Sequence, residues 1–361
     1  MRRPLRTKLC ISTGAIVVLA LSACRSTPTI EPRLDHTPSD GQAVSLQRFV
    51  ADQQPWTYRG DRGRAYYTPN SIIRTTSTDH KILDRLPPFV ELSILHYQSD
   101  LVRLPRPAEP IETYFFQTRH QWETLTRSLM GERADVYLSI ERGGYSAKHI
   151  GVFYDIGPKD SFVICAHEGW HQYSHSTFKD PMPVWLDEGV ACMMEGFRWD
   201  EQFPDHPRFL PWANMERFDQ LRKAYNAGTL MPIHSLLSLR PQDLMGDNPG
   251  RSTTRPTALN YYAQAWALIH FLNESGGGQY RSALEAMLQD AAHGELRSKL
   301  TGADLKQFNT RRTGPATLLN YLPEGTTLRQ LDDEYQRFIA RIVRVGARNK
   351  ILLGQSPIAR D

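Results

Sequence analysis

Four side chains between Phe162 and Glu195 have the types and spacing of a metal-dependent hydrolytic centre. His167 and His171 stand four residues apart in His167-Glu168-Gly169-Trp170-His171, the HExxH pattern. On a helix, positions i and i+4 share one face about 6 Å apart along the axis, so two imidazoles can grip one zinc ion from one side. Glu168 follows the first histidine and is placed to take a proton from a water on that ion. A catalytic zinc needs a third protein ligand and an open fourth position. Glu188, in Trp185-Leu186-Asp187-Glu188-Gly189 after a gap of 16 residues, is the natural supplier. Two histidines and two glutamates in mostly apolar surroundings are costly to bury unpaired, which argues against a purely structural helix.

His175 is a rival third ligand. In a continuous helix it lies a further turn along, beyond reach of a metal held by both earlier histidines, and no glycine between His171 and His175 permits a turn; it reads as an ordinary polar residue near the helix end. Glu195, seven residues after Glu188, returns to about the same helix face, where it either orients a histidine ligand or forms a surface ion pair. Cys165 and Cys192 fall one on each presumed metal-binding helix. Small buried thiols, a disulfide in an oxidising compartment and a metal role are the three readings, in that order of preference.

At these residues the chain resembles the gluzincin metallopeptidases, above all the aminopeptidase-N family with its WLNEG helix, and more closely secreted bacterial gluzincin-like proteins of unknown function. The gap to the glutamate is slightly shorter here than in the aminopeptidases, and the resemblance covers about 160–275. It implies a zincin-like fold, Zn²⁺ on His167, His171 and Glu188, Glu168 as catalytic base, and a peptide or protein substrate. In such proteins a sheet-edge strand before the HExxH helix binds substrate backbone. That places the edge within Gly143 to Tyr154, with Gly143, Gly144 and Tyr145 at its start; a plain hairpin turn is the competing reading. Tyr262-Ala263-Gln264-Ala265-Trp266-Ala267-Leu268 resembles the helix whose tyrosine stabilises the oxyanion, which makes Tyr262 the second catalytic candidate. Tyr261 is the adjacent fallback, a place in the core is the competing reading for both tyrosines, and the family's Lys-Gly is Gln264-Ala265 here.

The rest of the chain must position and deliver this site. Arg2, Arg3, Arg6 and Lys8 precede an apolar run from Leu9 to Leu21, a signal-peptide pattern too short for a comfortable membrane span. It ends Leu21-Ser22-Ala23-Cys24, which resembles the bacterial lipobox and implies cleavage before Cys24, acylation of Cys24 and membrane attachment through that lipid. Arg25 after the cysteine resembles the outer-membrane default of some Gram-negative bacteria, hence an expected place in the cell envelope on the periplasmic side. An uncleaved anchor, or a plain secretory signal, is the alternative. Without the signal's four basic residues, the 43 basic residues fall to 39 and equal the 39 acidic ones. The composition therefore lends no support to nucleic-acid binding.

The expected fold class is α+β, with residues 1–23 as signal and 24–44 as a flexible Pro- and Ser-rich tether. A mixed sheet-and-helix lobe spans 45–160, a mainly helical lobe with the site spans 161–346, and 347–361 form a loose tail. Strands are expected over Tyr66–Thr76, Glu112–Gln117, Asp135–Ile140 and Ile150–Asp155. Helices are expected over Lys81–Tyr97, with Pro87-Pro88 near its start, and over His120–Leu129, Met215–Ala227, Leu259–Leu272, Arg281–Ala292 and the stripe Leu328 to Ile342. Asp200–Pro211 and Pro241–Pro256 read as loops. The reaction expected is hydrolysis of a peptide bond. The rivals are a zinc amidase acting on cell-wall material and a non-catalytic binding or scaffold lipoprotein, against which the intact Glu168 argues.

Overall fold

The computed structural model describes residues 49–147, 149–244 and 256–358, all within one compact unit. The expectations for residues 1–23 and 24–44, Cys24 included, lie outside the described residues, as does most of the loop expected over 241–256. The architecture is α+β: a mixed six-stranded sheet first, then a mainly helical region. No helix among the described residues is long and apolar enough to cross a membrane.

The chain opens with β1 (Asp52–Tyr58) and β2 (Asp61–Tyr67), an antiparallel hairpin turned by Arg59 and Gly60, both at positive φ. Two central residues at positive φ match the right-handed twist of the flanking strands. The strand expected over Tyr66–Thr76 is broken by Thr68-Pro69-Asn70, so that β3 (Ser71–Thr75) returns antiparallel to β2. Glu91, on the following helix, accepts from the Thr68 hydroxyl and from the amide and side chain of Asn70, and so fixes this turn.

That helix, α1 (His80–Tyr97), begins at Asp79, whose carboxylate accepts from the amide of Lys81. Pro87 and Pro88 therefore sit in its middle and not near its start, a correction to the sequence reading. Each removes a helical donor, but both are buried between Leu86 and Phe89, where burial of the apolar face outweighs the lost bonds. After β4 (Ile111–Phe116), parallel to β3, come α2 (Arg119–Met130) and α3 (Ala134–Leu138). The strand expected over Asp135–Ile140 is thus wrong. Ala134, Tyr137 and Leu138 turn inward at i, i+3 and i+4 and leave Val136 72% exposed, a helical spacing that also fits a short alternating run.

The hairpin β5 (Gly144–Ala147) and β6 (Ile150–Tyr154) completes the sheet in the order β1-β2-β3-β4-β6-β5, which leaves β5 as a free edge. The stretch is a hairpin whose first strand lies at the edge of the sheet. The chain then enters α4 (Pro158–Thr177), with its proline in the first turn, and α5 (Val184–Met194).

Beyond α5, the stretch expected as a loop over 200–211 carries β8 (Pro207–Phe209), which pairs with β7 (Phe197–Trp199). Helices α6 (Met215–Asn226), α7 (Ile233–Ser238), α8 (Ala258–Glu274), α9 (Arg281–His293), α10 (Gly302–Gln307), α11 (Gly314–Leu319) and α12 (Leu328–Ile342) follow. The expected loose tail holds a further helix, α13 (Ala347–Leu352), seated by buried Ala347 and Ile351.

Two close approaches hold the site helices. A Cβ on Gly189 would lie 2.8 Å from the carbonyl of Ala265, so α5 and α8 cross backbone to backbone there. A Cβ on Gly169 would meet the Tyr97 hydroxyl at 2.8 Å; that hydroxyl donates to the carbonyl of Ala166 and ties α1 to α4.

Candidate metal centre

Helix α4 presents His167, Glu168 and His171, and α5 brings Glu188 across from them. Glu188 Oε2 lies 3.4 Å from His167 Nε2 and 3.3 Å from His171 Nε2. Four ligands on a tetrahedral zinc at bond lengths of about 2.0–2.1 Å stand about 3.3–3.4 Å from one another. The donor atoms therefore have the separation that a shared ion sets. Glu188 Oε2 is buried without a hydrogen-bond partner, a costly arrangement for a carboxylate unless a cation fills the gap.

Each histidine is held from behind. His167 Nδ1 is hydrogen-bonded to Glu195 Oε1 at 2.8 Å, and His171 Nδ1 lies 3.1 Å from Asp187 Oδ1 in an ion-pair contact that lacks hydrogen-bond geometry. A carboxylate that accepts a hydrogen bond from Nδ1–H keeps the proton on that nitrogen and leaves the Nε2 lone pair for a metal. Glu195 is itself gripped by Arg217 at 2.7 and 3.0 Å and by the Asn214 amide at 2.7 Å. Asp187 accepts from Trp170 Nε1 at 3.0 Å and Arg311 Nη2 at 2.5 Å, and faces His175 Nε2 at 3.2 Å.

Two further groups of donors are close enough for a metal: His167 with Cys192 and Glu195, and His171 with His175 and Asp187. In each, the carboxylate already carries a guanidinium, Arg217 or Arg311, which opposes a second cation. Among the described residues, no guanidinium pairs with the carboxylate of the group formed by His167, His171 and Glu188. His175 is thus a partner of Asp187 and stands apart from Glu188. Cys165 and Cys192 are separate buried thiols.

The electrostatics favour a cation. Burial alone would lower His171, but Asp187 and Glu188 outweigh it and raise it to about 10. Burial likewise opposes the rise of His167, which the Cys192 thiol, Glu188 and Glu195 drive well above the ordinary range. Glu195 is held down to about 2, against burial, by Arg217 and His167. Glu188 and Asp187 are held below the usual carboxylate range by the histidines, with Arg311 adding to the effect on Asp187.

Glu168 points to the sheet. Its Oε2 accepts from the backbone amide of Ser146, in the edge strand β5, at 3.0 Å. Burial raises its pKa, opposed by both histidines. Backbone groups of successive strand residues point to opposite sides. With Ser146 N–H turned outward, Gly144 and Ser146 carry the free edge, while Tyr145 turns its amide and carbonyl to β6. The Tyr145 side chain lies on the far face, its hydroxyl 3.1 Å from Thr126 Oγ1. Of the three residues read as the start of the edge, Gly144 presents outward groups, Gly143 (φ 124°) turns the chain into it against Ile164, and Tyr145 is a packing residue.

Tyr262, on α8, faces the site. Its ring centroid is 6.1 Å from that of His167, and the Arg217 guanidinium sits 5.2 Å from the ring. Burial and the nearby Glu188 raise the pKa of its phenol, which keeps it a donor. Tyr261 is fully buried in the core. Gln264, where the aminopeptidases have lysine, is also buried and pairs through its amide with both backbone groups of Met231.

Sequence reasoning missed Asp187, Ser146, Asn214, Arg217 and Arg311. Asp187 had a signal, because it lies in the first turn of α5 beside Glu188. The others reach the site through tertiary contacts that carry no local spacing.

The fold and donor set define a mixed α+β protein with a candidate metal centre. Residues 162–293, which contain His167, Glu168, His171, Glu188, Glu195 and Tyr262, match the model of a family described as a protein of unknown function, DUF1570. The match spans less than half of the chain. No curated protein matches the chain.

Proposed function

We propose that this is a zinc-dependent peptide-bond hydrolase of gluzincin type with a zincin-like fold. The observation that carries the reading is the triad of His167 Nε2, His171 Nε2 and Glu188 Oε2, 3.3–3.4 Å apart along its two His–Glu edges, with the carboxylate oxygen otherwise without a partner. Zinc on these three residues would supply a Lewis acid and a water of lowered pKa. Glu168 takes the proton of the attacking water and passes it to the leaving amine. Glu195 keeps His167 in the ligating tautomer, and the Asp187 carboxylate lies beside His171 Nδ1. The outward backbone groups of Gly144 and the outward carbonyl of Ser146 align an extended peptide, as a sheet edge does, while the Ser146 amide holds Glu168. Incubating the purified protein with a mixed peptide library, with and without a chelator, tests the reading. Cleavage that a chelator abolishes and zinc restores is expected; no cleavage across the library contradicts it.

Tyr262 donates a hydrogen bond to the carbonyl oxygen as negative charge builds there. Tyr262→Phe keeps the ring between His167 and Arg217 and removes only the hydroxyl. Turnover is expected to fall on the order of 100-fold, with zinc content and melting temperature unchanged. Wild-type turnover in this variant would return Tyr262 to a packing role.

We also propose that the protein is anchored in the cell envelope by lipid on Cys24, a reading supported by Leu21-Ser22-Ala23-Cys24. Intact-mass analysis of membrane-purified protein should show a diacylglycerol at Cys24, and Cys24→Ala should release or mis-process the chain. A mass without acyl groups refutes the anchor.

A further inference from the structure

A cleft of about 840 Å³ lies beside the metal centre, between the first turns of α4, strand β7 and the start of α6. Glu195, the carboxylate that holds His167, forms part of its wall, as do Val163 and Ile164, which precede His167 and Glu168 by one turn of α4, so the cleft continues the helix face that carries the site. Most of the charge around the cleft is already neutralised. Glu195 is saturated by His167, Asn214 and Arg217. Arg142 pairs with Asp160 at 3.2 Å. Arg85 donates to the carbonyl of Pro204 and lies over the Trp199 ring. Lys159, Glu201 and Glu216 are exposed at the rim, where water solvates them.

Arg198 is different. It is the middle residue of β7, whose neighbours Phe197 and Trp199 pack with Phe89, and strand alternation turns its side chain away from them. It is only partly exposed, and its Nε is shut off from water without a hydrogen-bond partner. Among the described residues nothing pairs with its guanidinium. A buried guanidinium Nε without an acceptor is unfavourable, and the planar fork, whose Nη groups are not among the buried atoms, matches a carboxylate.

We infer that this cleft receives a carboxylate of the substrate and that Arg198 selects for it. The inference rests on the peptide-hydrolase reading and narrows it to acidic peptides. The carboxylate belongs either to an Asp or Glu side chain or to the peptide's C-terminus, and the arms of the test separate these.

The zinc-loaded full chain carrying Glu168→Gln, which binds without turning over, is titrated with four peptides on one backbone. These are neutral and amidated, neutral with a free C-terminus, Glu-containing and amidated, and Lys-containing and amidated. At least one of the two carboxylate-bearing peptides should bind about tenfold or more tighter than the neutral amide. Adding Arg198→Gln should abolish that advantage, Arg198→Glu should reverse it toward the Lys peptide, and Arg198→Lys should keep part of it. Zinc content and melting temperature establish that each variant folds. Equal binding of all four peptides, binding of none, or a preference that survives Arg198→Gln overturns the inference. Cleavage by the unmutated protein is scored separately. Cleavage without charge preference removes the anionic subsite and keeps the hydrolase, whereas Arg198-dependent binding without cleavage does the reverse.

Discussion

Glu168→Gln should retain about one zinc per chain while peptide turnover falls by a factor on the order of 10²–10⁴. The glutamine keeps the shape and one oxygen of the side chain, so the acceptor for Ser146 N–H, 3.0 Å away, survives. It removes the only property the reaction needs there, a carboxylate able to take and return a proton. Because Glu168 is on the helix between the two histidines but makes no contact with Glu188 of the kind a ligand makes, metal affinity should change little. Metal analysis and a peptide assay on the same preparation decide the matter. Full turnover in this variant removes Glu168 from catalysis, and loss of metal would place it among the ligands.

Glu195→Ala should do its damage in another way. Glu195 is 4% exposed and links Arg217, Asn214 and His167. Its removal leaves the Arg217 guanidinium buried without a counter-charge, and breaking a buried pair from one side costs about 3–5 kcal/mol. His167 also loses the acceptor that sets its tautomer, which should weaken zinc binding about 10–100-fold. Thermal melts in excess chelator isolate the first effect, and competition with a zinc indicator isolates the second. Glu195→Gln keeps the packing and part of the hydrogen bonding, so it should recover much of the stability and less of the affinity. A melting temperature and zinc affinity equal to wild type in Glu195→Ala would show that this network does not support the site.

The parts of this site that were legible in the sequence are those set by helix periodicity. His167 and His171 four apart, and Glu188 and Glu195 seven apart, are relations within one helix, and the structure places all four at the centre. Ser146, Arg217 and Arg311 lie 22, 22 and 124 residues from the groups they hold, and only the assembled fold brings them near. The same division runs through the fold. The long helices α4, α8 and α12 were readable, but β1 was not. Its residues Asp52 to Pro55 are all exposed, so the alternation that marks a half-buried strand is missing. Pro87 and Pro88 misled because local propensity lost to burial of α1 against the sheet and α4. The tail misled because the helix in Ala347–Leu352 is too short for periodicity to show, and is held instead by two buried apolar side chains.

The central claim is that His167, His171 and Glu188 hold a zinc ion. Metal analysis of the full chain, purified without chelators or added zinc, tests it most directly when paired with His171→Ala and Glu188→Ala. About one zinc per chain in the wild type, and a large loss in both variants with the fold retained by circular dichroism, is the predicted result. A wild type purified without zinc that also fails to take up the ion at micromolar concentration would contradict it, as would variants that hold zinc as the wild type does.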